Sequence, residues 1–203
     1  MHGLMNRAVQ DFLQVTYGQA TWEAVREAAD LPENGFEPLL SYDDALTTAM
    51  LSAAVDHLEK PREDILADIG TFLVSHPRTE RVRRLLRFGG AEFGDFLHSL
   101  DDLPARVGLA LPAFHLPRMT LRVDEAGGEG AFLLTCDEAP EGWGHVMMGV
   151  IAAMADDYGA LVLLEHRDAS RGCGDAPSET IGIRLMLSDY ADARAFDLTL
   201  GAA

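Results

Sequence analysis

Apolar positions in the first half of the chain recur at helical spacing. Leu4, Met5, Ala8, Phe12, Leu13 and Val15 form one stripe, which ends at Tyr17 and Gly18. Thr21 stands where it would cap a second helix carrying Trp22, Val25 and Ala29. Residues 32–38, rich in proline and glycine, read as a loop. Ser41 and Asp43 open a helix that runs to about Leu58, and Pro61 falls in the first turn of the next, with Ile65, Leu66, Ile69, Phe72 and Leu73 as its apolar positions. Residues 78–88 read as a basic helix closed by Gly89 and Gly90. Residues 92–111 are helical except at 101–104, because a proline inside a helix costs about 3 kcal/mol. One helix therefore ends near Leu100, and another starts at Asp102 with Pro104 in its first turn.

The second half changes period. Residues 119–123 alternate, residues 131–136 are short and apolar, and Gly127-Gly128 between them marks a hairpin. Residues 143–158 carry a helical stripe through Val146, Met147, Val150, Ile151 and Met154. Two more strands are expected at 160–165 and 180–187, with a polar, glycine-rich loop at 168–178. Helices followed by strand–strand–helix–strand–strand predict an α+β domain with an antiparallel sheet and no internal repeat.

Composition narrows the function. The chain has 203 residues, 48% apolar and 24% charged, enough for one large domain, or two small ones sharing an interface, with a real core. Its formal charge of −17 repels phosphate backbones and anionic lipid, which disfavours nucleic acid and membrane surfaces as partners. Two cysteines make no disulfide framework. No signal peptide and no membrane-length apolar run is legible, so a cytoplasmic location is expected.

Candidate chemistry is sparse. His166 and Cys173 flank the glycine-rich loop, but no second ligand pair or base is near in sequence, which favours a strand-end histidine and a loop cysteine over a metal site or nucleophile. Arg78, Arg81, Arg84 and Arg87 form a row on one helix face; a solvated face paired with carboxylates outweighs an anion site. Gly142, Gly144 and Gly149 lack the dinucleotide spacing. Asp101 and Asp102 suit a helix start better than an acid–base pair.

Several short motifs in order resemble heme nitric oxide/oxygen binding (H-NOX) domains. They are Met1-His2-Gly3 before a helix, Tyr17-Gly18, Trp22, Tyr42-Asp43-Asp44, Gly70, the run from Phe96 to Leu103, Pro117, and Gly149 in the last helix. The resemblance covers about residues 1–190. It implies a single domain with a helical subdomain at 1–90, an α/β subdomain at 91–190 holding a four-stranded antiparallel sheet, and a tail at 191–203. It implies heme as the family's cofactor. It also implies signalling enzymes as partners: nucleotide cyclases, histidine kinases or cyclic-di-GMP enzymes. Leu4, Phe96, Leu100, Pro117, Val146, Gly149 and Val150 are the pocket positions it implies.

The chain departs from that family where heme is held. The position of the proximal histidine is Pro104, which has no donor for iron. The three positions of the propionate-binding Tyr-x-Ser-x-Arg motif are Cys136, Glu138 and Pro140. Arginine suits a carboxylate through its charged fork, whereas Glu138 repels one. Val146 stands where some relatives have a distal tyrosine. His98 lies about 240° around a continuous helix from Pro104, on the wrong face. His115 and His145 are the substitute ligands to consider. No metal site and no heme binding in the family's mode are expected. An empty pocket of about 300–400 Å³ would cost about 7–10 kcal/mol, so it should be filled, collapsed or otherwise occupied. Phe93, Phe96, Phe114, Trp143, Met147 and Met148 are available fillers. Three readings follow: a sensor domain acting on a separate signalling partner, with an apolar small molecule or unusually held heme as its ligand; a ligand-free protein-binding module; and, least supported, an enzyme.

Overall fold

The computed structural model describes residues 2–167 and 178–186. Its helices are α1 (Gly3–Thr16), α2 (Gln19–Ala28), α3 (Asp44–Leu58), α4 (Arg62–Ser75), a short 3-10 turn (Pro77–Thr79), α5 (Glu80–Arg87), α6 (Phe93–His98), α7 (Leu103–Ala110) and α8 (Trp143–Tyr158). The strands are β1 (Arg118–Val123), β2 (Ala131–Asp137), β3 (Leu161–Arg167) and β4 (Ser178–Met186). They form one sheet in the order β1-β2-β4-β3, every neighbour antiparallel. Cys173 and the tail beyond Met186 lie outside the described residues.

Local signals explain most boundaries. The Asp43 side chain accepts from Ala45 N and starts α3. Pro104 sits in the first turn of α7, where its missing N–H breaks no helical bond. Three details differ from expectation. Gly18, not Thr21, precedes α2, and the Thr21 hydroxyl instead donates to Tyr17 O inside the helix. Pro61 is the residue before α4 rather than its first turn. Arg78 lies in the 3-10 turn, so the arginine row is not one continuous helix face.

Two cores form. One gathers Phe12, Leu13, Trp22, Met50, Ile65 and Ile69 from the first four helices. The other gathers Phe96, Leu100, Leu134, Ile151, Met154 and Ile181 around α8 and the sheet. Helices α4 and α8 join the halves at a crossing built on two glycines. A Cβ on Gly70 would lie 2.0 Å from Val146 O, and one on Gly149 would lie 1.9 Å from Ala67 O. Thr71 Oγ1 donates to Gly149 O across the same contact, 3.4 Å away. Val146 on α8 is thereby held in the first core, while its neighbour Met147 belongs to the second.

Candidate ligand-binding site

A cavity of about 380 Å³ lies between the halves. Its walls come from α1 (Leu4, Met5, Ala8), α4 (Phe72, Leu73), α5 (Val82, Leu85, Leu86), α7 (Leu103, Val107), and α8 (Trp143, Val146, Met147, Val150). Met119 on β1 and Leu111, Phe114 and Leu116 of the α7–β1 segment complete it. Leu111, Arg78 and Arg81 line it and are exposed, so the cavity reaches the surface. A smaller cavity of about 220 Å³ shares Met5, Phe114, Leu116 and Trp143 and adds His115, Pro117, Arg118, Glu138 and Pro140.

Of the expected pocket residues, Leu4, Val146 and Val150 line the larger cavity and Pro117 the smaller. Phe96 and Leu100 are fully buried in the second core instead, and Gly149 serves the helix crossing. The expected fillers divide likewise. Phe114, Trp143 and Met147 stand in the wall, while Met148 packs half-buried on the core. Phe93 and Phe96 pack on Tyr158, with ring centroids 6.1 and 6.0 Å away, and so cannot fill the cavity.

Side-chain donors at the larger cavity are few. Helix α7 contributes Leu103 and Val107 to the wall, and Pro104 is half-buried beside them without a donor atom. The larger cavity contains no imidazole; the thioethers of Met5, Met119 and Met147 are its soft donors. Cys136 is fully buried in the sheet core, where loss of water pushes its thiol up to about 12, so it stays protonated. Glu138 and Pro140 are exposed at the smaller cavity, and Glu138 takes a left-handed backbone at φ 56°. His115 is exposed at that same smaller cavity.

His145 lines neither cavity. Its ring stacks on His166 at 4.2 Å between centroids. His166 Nε2 in turn lies 3.2 Å from Glu179 Oε2. The Glu179 carboxylate also accepts from Gly142 N (2.6 Å) and Gly144 N (2.7 Å), which clamps the start of α8 to β4. Burial, then the neighbouring His166, lowers the pKa of His145, while Glu179, Glu63 and Asp64 oppose the shift. A lowered folded-state pKa means that the unfolded chain takes up this proton first as pH falls. The stability associated with neutral His145 is therefore complete above about pH 6.5 and is lost as pH drops below it. Replacing His145 with glutamine should flatten the fall in melting temperature as pH drops below about 6.5. An unchanged slope would show that His145 does not control it.

The arginines separate into two groups. Arg84 pairs with Glu80, and Arg83 and Arg87 reach Asp157, with Arg87 also 4.0 Å over the Tyr158 ring. Of the row of four, Arg84 and Arg87 thus pair with carboxylates as expected. Arg78 and Arg81 instead stand at the larger cavity together with Arg7, Asp11 and Thr79. That location, the Glu179 clamp and the indole of Trp143 were not legible in the sequence. Each depends on partners from distant elements and leaves no local pattern.

Comparison with known proteins follows the same outline. The "Haem-NO-binding" family model matches residues 2–166. The soluble guanylate cyclase 89Da of Drosophila melanogaster is 23% identical over 196 residues, covering 94% of this chain and 29% of the relative. The soluble guanylate cyclase gcy-31 of Caenorhabditis elegans is 23% identical over 117 residues, covering 58% of this chain and 17% of the relative. The chain thus spans less than a third of the length of these cyclases. Among solved structures, an H-NOX protein from S. oneidensis has a TM-score of 0.75 at 16% identity, covering 92% of this chain and 97% of the other. A Cs H-NOX variant has a TM-score of 0.74 at 15% identity with the same coverage. At such identity these structures speak for the fold, and no described helix is long and apolar enough to cross a membrane. With a family match spanning most of the chain, this protein belongs to the haem-NO-binding family.

Proposed function

We infer that this chain is a regulatory domain of H-NOX type that does not hold heme in the family's manner. It passes its state to a signalling enzyme, a guanylate cyclase being the kind carried by the named relatives. The observation that carries the reading is the stretch of α7 at the cavity. Leu103 and Val107 line it, Pro104 lies beside them at the position the resemblance gives to the iron-ligating histidine, and none of the three has a side-chain donor atom. Cys136, Glu138 and Pro140 supply no hydroxyl or cationic donor for propionates. In this reading the domain senses and relays and does not catalyse, since no convergent acid, base and nucleophile can be read in its sequence. The cavity remains usable by another ligand, and it touches both halves of the fold. An occupant would therefore bias how α1 and α5 sit against α7 and α8.

The test is the absorption spectrum of the protein after expression with excess heme. The expected result is no sharp, stoichiometric Soret band surviving gel filtration. Such a band would overturn the reading. Its loss in His115→Ala, His145→Ala or Met147→Ala would then identify the substitute ligand.

A further inference from the structure

The larger cavity is apolar on every wall but one. At that wall stand Arg7, Arg78 and Arg81, with Asp11 and Thr79. Arg7 Nε donates to Asp11 Oδ1 at 3.0 Å, which neutralises that pair. The guanidiniums of Arg78 and Arg81 make no hydrogen bond or ion pair with any described residue, although the neighbouring Arg83, Arg84 and Arg87 all have carboxylate partners. Two uncompensated cations beside an apolar cavity are notable in a chain of net charge −17. Surplus carboxylate is abundant on this protein, yet no carboxylate among the described residues pairs with these two side chains.

A second observation points to an occupant. Trp143 lines both cavities and is 7% exposed, and its indole Nε1 is buried without a hydrogen-bond partner. Of the buried unpartnered polar side-chain atoms among the described residues, this is the one on a cavity-lining residue. Buried donors are normally satisfied, and an oxygen inside the cavity, of a ligand or of a water enclosed with it, would satisfy this one.

We propose that the cavity binds an aliphatic monocarboxylate, its carboxylate at Arg78 and Arg81 and its chain among Leu4, Ala8, Val82, Leu86, Val107 and Val150. A guanidinium matches a carboxylate through paired N–H donors, and the apolar walls gain by covering the chain. The volume, about 380 Å³, holds about a dozen non-hydrogen atoms at roughly 30 Å³ each. Decanoate is of that size. The proposal rests on the reading that heme does not fill this space.

The experiment titrates the full chain with decanoate and, separately, with decan-1-ol, below their aggregation limits. Tryptophan fluorescence and calorimetry report binding, with Trp143→Phe removing the local signal. Decanoate should bind stoichiometrically and roughly tenfold or more tighter than decan-1-ol, as a charge-assisted contact requires. The double variant Arg78→Gln with Arg81→Gln should weaken decanoate by a similar factor and leave decan-1-ol unchanged. Both residues are exposed, so circular dichroism should show an intact fold. Ala8→Phe should abolish binding of both. The proposal is overturned if neither compound saturates, if the alcohol binds as tightly as the acid, or if the double variant keeps its affinity for decanoate. A heme titration run in parallel separates the two ideas. A stoichiometric Soret band would sink the heme-free reading, whereas silence toward both heme and decanoate would sink this proposal alone.

Discussion

Replacing Gly149 with alanine should lower the stability of the protein by about 2 kcal/mol, and Gly70→Ala should do the same. Alanine normally strengthens a helix by about 1 kcal/mol over glycine. Here the added methyl would lie 1.9 Å from Ala67 O, or 2.0 Å from Val146 O. The struck atoms are backbone carbonyls inside helices, so no side chain can swing aside. The helices must separate, at an overpacking cost of about 3 kcal/mol, which exceeds the propensity gain. The double variant should lose less than the sum of the two singles, because helices already pushed apart by one methyl accommodate the other. Urea melts of all three variants measure this. Strict additivity, or stabilisation by either single change, would show that α4 and α8 do not depend on this approach. The crossing also bears on the cavity, since Phe72 and Leu73 on α4 and Val146 and Val150 on α8 line it. A variant that folds with separated helices should bind an occupant of the cavity differently from the parent.

Glu179→Ala should cost about 3 kcal/mol. The carboxylate accepts from the backbone N–H groups of Gly142 and Gly144, at a helix end where the peptide dipole favours negative charge. It is 13% exposed, so water replaces it poorly. A bond to a charged group contributes about 1.5–3 kcal/mol, and truncation would leave two donors and the His166 ring without their acceptor. Glu179→Gln keeps one acceptor oxygen at the same reach and should recover about half of the loss. The two variants should unfold with the m-value of the parent if the effect is local to the folded state. Equal stability of the alanine and glutamine variants would show that the hydrogen bonds are not what holds α8 to β4.

Strand edges show where sequence reasoning stops. Residues 160–165 read as a strand from their apolar alternation, but β3 runs to Arg167 because His166 and Arg167 pair with Ile181 and Thr180 on β4. Likewise β4 begins at Ser178, two residues early, because Ser178 and Glu179 pair with Asp137 and Cys136 on β2. A ladder partner defines those ends, and a partner is not a local property.

What the sequence determined by itself was whatever a local period or a single side chain decides. The stripe of α8 has a 3.6-residue period bounded by Gly142 and Gly159, so the helix lies where the pattern puts it. The break before α7 follows from the fixed ring of Pro104, and the same ring leaves that position without a donor whatever surrounds it. The order of helices and strands was enough for the fold class. The tertiary structure alone decided whether the cavity stayed open. Phe93 and Phe96 have the bulk to fill it, but contact with Tyr158 draws them into the sheet core. It also decided which arginines of one basic stretch are neutralised. Asp157, at the far end of α8, reaches Arg83 and Arg87 but not Arg78 or Arg81. Such outcomes depend on distances between residues far apart in the chain, which no local period encodes.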